Sequence, residues 1–228
     1  SQYRLRLSPD EEMVAPMGTE PERYESLPAP REARQQLQLP QGFTAGYTGH
    51  LYPGRGVELL FELAKRLPAV NFLWVGGNPR DAAYWRAKLE EGGIHNVVMT
   101  GFIDHSRVPL YQAAAEVLLM PYEHTVEVSG GGNTAEFCSP MKLFEYLSAG
   151  RAIIASDLPV LGEILHAGNS LRCPAGDAAA WAAAVQQLQV DPGLLQRLGS
   201  SAQAESRDFA WVERARRSLE GFETVGRG

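Results

Sequence analysis

Cysteine is nearly missing from this 228-residue chain, which carries only Cys138 and Cys173. Two cysteines cannot build a disulfide framework. Neither sits in a C-x-x-C pair, which disfavours a redox motif or a thiolate zinc site. Small, buried, reduced thiols fit a reducing compartment, so a cytoplasmic location is expected. No apolar run approaches the roughly 18 residues of a membrane span, and no secretory signal opens the sequence. An excess of basic charge is also lacking. The 21 Lys and Arg stand against 27 Asp and Glu, a net charge of −6. That balance argues against nucleic acid as a partner, although a local basic pocket stays possible. The dinucleotide fingerprint G-x-G-x-x-G and the Walker A loop are both absent, which disfavours a plain nicotinamide or flavin site and an NTPase. Four of the five histidines, His95, His105, His124 and His166, lack metal-ligand spacing and read as surface or loop residues.

What is present is ordinary for a globular protein, with 44% hydrophobic and 21% charged residues. At about 150 residues per domain, the length suggests one large domain with an extra segment. The first forty residues hold six prolines (Pro9, Pro16, Pro21, Pro28, Pro30 and Pro40) and read as a linker or a surface-hugging lead-in. A weak helix is expected over Arg31–Leu39. Beyond Phe43, apolar runs of strand length alternate with helical periodicity. Strands are expected at Ala45–Thr48, Asn71–Val75, Val97–Thr100, Val117–Met120, Ala152–Ser156 and Ser170–Cys173. Helices are expected at Val57–Leu67, Asp81–Glu91, Val108–Ala115, Ser139–Ala149, Pro159–His166, Asp177–Leu188, Pro192–Glu205 and Trp211–Phe222. Strands that are apolar throughout, alternating with helices, mean an α/β fold: a doubly wound, Rossmann-like parallel sheet. Its ligand crevice lies at the carboxyl ends of the strands.

Two loops at that edge carry chemistry. The first is TGHLYPGRG, Thr48–Gly56, where His50 and Arg55 stand beside the start of a helix. The second is SPMKLFEYLSAG, Ser139–Gly150. There Ser139 suits an N-cap, Pro140 suits the first helical position, and Lys142 and Glu145 share a face. A cation at a helix amino terminus is unfavourable unless an anion joins it. His50, Arg55 and Lys142 together suit a diphosphate, and Glu145 suits ribose hydroxyls. Each loop alone also reads as a solvated turn or a surface ion pair.

The order TGHLYPGRGVELL, NFLWVGG, VVMTGFI, EVLLMPY and SPMKLFEYLSAGRAIIASDLPVLGEIL is similar to the carboxyl-terminal domain of GT-B fold, retaining glycosyltransferases of family 4. The resemblance covers Val14–Phe222. It implies a domain that binds a nucleotide-sugar donor, with metal-independent transfer. It also implies that Glu145 is the second glutamate of the family's E-x7-E motif and binds the ribose. The first glutamate would fall at Phe137, and Glu136 is one residue off. His50 and Arg55 match positions that contact the donor diphosphate. Gly101, Phe102 and Ile103 match a stretch whose backbone meets the base. Gly49, Ser139, Pro140, Met141, Lys142 and Leu143 complete the implied donor set. Arg55, Lys142 and Glu145 are the residues implied to carry catalysis. The metal-dependent glycosyltransferase design uses a D-x-D motif, which is absent.

The expectation is therefore retaining transfer from a nucleotide-diphosphate sugar, UDP favoured over GDP, to an acceptor hydroxyl, with no cofactor. A GT-B nucleotide-sugar epimerase and a non-catalytic nucleotide-sugar-binding subunit are the alternatives. Residues 1–42 are expected to be linker and the tail of an amino-terminal acceptor domain, with Ser1 marking a cut. Residues 43–228 are expected to be the donor domain, inactive in transfer by itself. Loop Ser129–Thr134 reads either as a cover for the sugar or acceptor, or as a plain connection. The basic run Arg214, Arg216 and Arg217 suggests peripheral contact with the inner face of a membrane, or a solvated face.

Overall fold

The computed structural model describes residues 18–52, 54–123 and 141–216. In chain order the elements are α1 (Pro30–Gln36), β1 (Thr44–Thr48), α2 (Val57–Arg66), β2 (Asn71–Val75), α3 (Pro79–Glu91) and β3 (Val97–Gly101). They continue as α4 (Val108–Ala113), β4 (Val117–Met120), α5 (Met141–Ser148), β5 (Ala152–Ser156), α6 (Pro159–Gly162), β6 (Leu171–Cys173), α7 (Ala178–Val190) and α8 (Pro192–Ser206). A further helical stretch covers 211–216.

The six strands form one sheet in the order β3-β2-β1-β4-β5-β6, and every pairing is parallel. That is the doubly wound, Rossmann-like arrangement, with its switch point between β1 and β4. The apolar strands explain it, because alternate side chains serve opposite faces and both faces are covered. Tyr47, Trp74, Leu119 and Ile154 enter one core with Leu60 and Leu63 of α2 and Trp181 and Val185 of α7. Leu118, Met120, Ile153 and Ala155 enter the other with Phe144 and Leu147 of α5.

The switch point is thin. β1 pairs with β4 at two positions, Ala45 with Val117 and Gly46 with Leu118, whereas β1 pairs with β2 at all five. Side chains finish the seam at both ends. Below it, the Thr44 N–H donates to Glu116 Oε2 at 2.7 Å. Above it, the Thr48 N–H donates to the Tyr146 hydroxyl at 2.9 Å, and that hydroxyl donates to the Leu119 carbonyl at 3.3 Å. The strands therefore part at their carboxyl ends around Tyr146, which opens the crevice.

The lead-in from residue 18 lies against this body. Arg34 Nη1 donates to both Glu116 oxygens at 2.9 Å and to the Ala114 carbonyl at 2.8 Å. Thr19 bridges to Ala210, and Tyr24 is buried. Helix α3 begins at Pro79, two residues before the expected start, because the Asn78 side chain caps it by accepting from Asp81 N–H. Helix α6 is shorter than expected and ends at Gly162. The Asn169 side chain intercepts what would continue it, donating to the Ile164 carbonyl and accepting from His166 N–H. The closing helix is described as far as residue 216, so its expected extension to Phe222 lies outside the described residues. Among the described residues no helix is long and apolar enough to cross a membrane.

Candidate functional site

The crevice at the parted ends of β1 and β4 gathers the three expected cations. Gly49 leaves β1 at φ +140°, where a side chain would be strained, and a Cβ there would lie 2.9 Å from Lys142 Nζ. The positive φ at this exit from β1 therefore requires glycine. Gly56 begins α2 at φ +71°, and a Cβ there would sit 1.7 Å from the Pro121 carbonyl oxygen. These two glycines draw the Arg55 loop against the exit of β4. A hydrogen bond from Glu123 N–H to the Gly54 carbonyl ties the same two segments.

Each cation is held by aromatic rings. Arg55 Nη2 donates to the Tyr52 hydroxyl at 2.9 Å, and its guanidinium carbon lies 5.2 Å from the ring centres of both Tyr52 and Tyr122. Burial opposes the charge on Arg55, but Tyr122 and the hydrogen bond with Tyr52 more than offset it, so the group stays protonated. Lys142 Nζ lies 4.1 Å from the Tyr47 ring centre and 5.1 Å from that of Tyr122. It is buried and has no hydrogen-bond partner among the described residues. Burial first, and then the Arg55 charge, push its pKa from the usual 10.5 down to about 7, with Glu145 opposing weakly. His50 stacks near Tyr52 at 5.1 Å and is exposed. Partial burial, Arg55 and Lys142 lower its pKa, so it stands neutral beside them.

Glu145 faces elsewhere. Lys142 and Glu145 share a helix face by spacing but form no ion pair among the described residues. Lys142 turns inward under Gly49, and Glu145 lies 3.8 Å from His105 Nε2. The carboxylate lines a cavity of about 140 Å³ with Thr19, Arg23, Tyr24, His105, Met141 and Trp211. The i,i+3 surface salt bridge considered from the sequence is therefore not made.

Gly101 ends β3 at φ +71°, Phe102 is 85% exposed beside it, and Ile103 packs against the apolar cluster that includes Leu73 and Val75. Met141 is half exposed at the rim. Leu143, expected among the donor contacts, is a core residue. Its side chain is 1% exposed in the α5 core, which leaves its backbone alone to meet a ligand. Ser139 and Pro140 lie outside the described residues, as do Glu136, Cys138 and the Ser129–Thr134 loop. Sequence reasoning missed the aromatic side of the site, Tyr47, Tyr52 and Tyr122. Tyr47 reads as a strand core residue, and Tyr122 as the first residue of the polar, glycine-rich loop that follows the strand Val117–Met120. Tyr52, inside the glycine-rich loop, was the available signal. Among the described residues no group of three His, Cys, Asp or Glu side chains is placed to hold a metal ion.

Fold and crevice together define a doubly wound α/β domain with two basic side chains, Arg55 and Lys142, gathered at its switch point. The comparisons narrow that class: residues 42–191 match the family model described as glycosyl transferases group 1, and the chain belongs to that family. TuaH of Bacillus subtilis (strain 168), named as a teichuronic acid biosynthesis glycosyltransferase, is 32% identical over 138 residues. That match covers 60% of this chain and 32% of TuaH. Among solved structures, sucrose-phosphate synthase of Thermosynechococcus elongatus superposes with a TM-score of 0.76 at 25% identity, over 93% of this chain and 52% of that one. The carboxyl-terminal domain of LpcC, a glycosyl transferase group 1 family protein of Francisella tularensis, superposes with a TM-score of 0.70 at 16% identity. There the match covers 85% of this chain and all of that one. These neighbours are GT-B glycosyltransferases, and the present chain has the Rossmann-like architecture of that fold. The chain spans between 30% and 47% of the length of the curated relatives it matches.

Proposed function

We propose that this domain binds the nucleotide-diphosphate sugar donor of a retaining, metal-independent glycosyltransferase. The observation that carries the reading is the buried Lys142 ammonium, without a hydrogen-bond partner among the described residues and sharing the Tyr122 ring with Arg55, at the switch point of the sheet. Among the described residues no acid stands between these two cations, and an anion is what they lack. A donor diphosphate supplies it.

In this reading the diphosphate lies across the Gly49 loop, between Arg55 and Lys142. The amino terminus of α2 adds backbone N–H donors and the positive end of its dipole. As the bond from sugar to diphosphate breaks, negative charge gathers on the leaving oxygen. Preorganised cations in a partly dry site stabilise that charge without reorganising. The two basic side chains thus do the work that a divalent metal does in a D-x-D enzyme. Glu145, on the lead-in side of α5, accepts from the ribose hydroxyls. Gly101, Phe102 and Ile103 place backbone beside the base, for which we favour uracil over guanine.

The acceptor and the groups that activate its hydroxyl belong to the part of the relatives' length that this chain does not span. We accordingly expect binding without efficient transfer by these 228 residues. We assign the activity to the cytoplasm because cysteine is so scarce. Peripheral contact with a membrane would come through the longer protein. Calorimetry with UDP, GDP and ADP tests the donor reading. Binding of one of them is expected, weakened at least about a hundredfold by Arg55→Ala with Lys142→Ala, since each charged hydrogen bond contributes roughly 1.5–3 kcal/mol. Unchanged affinity in the double variant would place the anion elsewhere.

A further inference from the structure

One aromatic ring in the crevice touches both cations. The Tyr122 ring centre is 5.2 Å from the Arg55 guanidinium carbon and 5.1 Å from Lys142 Nζ. Its side chain is buried, and its backbone is fixed to β5, because the Ser156 hydroxyl donates to the Tyr122 carbonyl at 2.6 Å. The Tyr47 ring holds Lys142 from a second direction, and its hydroxyl donates to the His50 carbonyl at 2.6 Å.

A ring face attracts a cation through its quadrupole but does not cancel the charge. A carboxylate in the same place would pair with both side chains. An incoming anion would then have to displace it. Tyr122 gives the cations an attractive neighbour and leaves their charge available. The geometry points to Tyr122 as a positioning residue for the donor: its ring keeps Arg55 and Lys142 side by side, charged and unneutralised, so that both meet one diphosphate. This rests on the donor-binding reading above and adds a role for a residue that touches the donor through neither charge nor backbone.

Among the described residues the groups facing Lys142 are Tyr47, His50 and Arg55 from β1 and its loop, Tyr122 from the exit of β4, and Glu145 from α5. Burial and Arg55 already favour loss of its proton, and the rings oppose them. Removing the shared ring face should therefore let Lys142 deprotonate at lower pH.

The test is UDP titration of the 228-residue chain by calorimetry between about pH 6 and pH 9, the window in which Lys142 loses its charge. For the unmodified chain, affinity should fall as pH rises through about 7. Tyr122→Leu should bind about tenfold more weakly near neutrality, the scale of one partly desolvated cation–π contact, with the fall in affinity displaced to lower pH. Tyr122→Phe keeps the ring and should stay within about twofold with an unmoved midpoint. Pentafluorophenylalanine at position 122 keeps the shape but reverses the ring's charge distribution. It should behave like Tyr122→Leu, and it decides the matter if the leucine variant fails to fold. Binding by the leucine or pentafluoro form equal to that of the unmodified chain, or a loss uniform in pH with the midpoint unmoved, would overturn the role of Tyr122. Failure of the unmodified chain to bind UDP, GDP or ADP would instead remove the donor reading itself.

Discussion

At Lys142 the chain buries an ammonium group against two rings and a glycine backbone, with no acid in contact among the described residues. That placement opposes folding. The folded-state pKa is about 7 against a usual 10.5, so between those values the unfolded chain holds a proton that the folded one does not. Stability should therefore rise with pH across that window, and the full penalty should apply below about pH 7. Lys142→Met keeps the volume and removes the charge. It should stabilise the protein by about 1–3 kcal/mol at neutral pH, with a smaller gain near pH 9, while UDP binding is lost. Urea unfolding at the two pH values, with and without UDP, checks this. A destabilised variant would show that Lys142 contributes to packing more than it costs in desolvation. The residue types of this site were partly legible in the sequence, because a cation beside a helix amino terminus contradicts the dipole and so points to an absent anion. The rings were not legible. Tyr47 reads as a strand residue and Tyr122 as the start of a loop, and their use as faces for a cation exists only once β1, β4 and α5 meet.

Among the elements, the junction of β1 with β4 and α5 decides where the crevice opens. The backbone pairs twice there, and the Tyr146 hydroxyl then stands in for the missing rungs, between the Thr48 N–H and the Leu119 carbonyl. Tyr146→Phe removes that one oxygen and leaves two buried backbone groups without it. The expected cost is about 1–3 kcal/mol in urea unfolding, together with weaker UDP binding, since Gly49 follows Thr48 directly. Loss of stability with unchanged binding would separate the seam from the site. The strands themselves were legible because doubly covered strands are continuous apolar runs, and Asn71–Val75 and Ala152–Ser156 stand as expected. Element ends were less so. Asn78 and Asn169 act through side-chain hydrogen bonds, and the second of these reaches back five residues to end α6 early. Periodicity carries no trace of such a bond.

At the scale of the whole molecule, the doubly wound parallel class and the family were legible, because loops at expected strand ends carried the specific residues. The packing of the lead-in was not. Arg34 reads as one more exposed cation, yet it is buried against Glu116 across the foot of the sheet. The thin seam also has a consequence in time. Arg55 and Lys142 come from opposite sides of the β1–β4 junction and are 142 − 55 = 87 positions apart in the chain. No diphosphate can meet both until the two halves of the sheet have closed on each other. If that closure is the last event of folding, a ligand finds its site only after the rate-limiting barrier has been crossed. Saturating UDP should then slow unfolding by the factor 1 + [UDP]/Kd and leave the refolding rate unchanged in stopped-flow experiments. Faster refolding with UDP would mean that the junction forms early. The donor would thus act as a latch on a completed fold, lengthening the life of the native state without hastening its arrival.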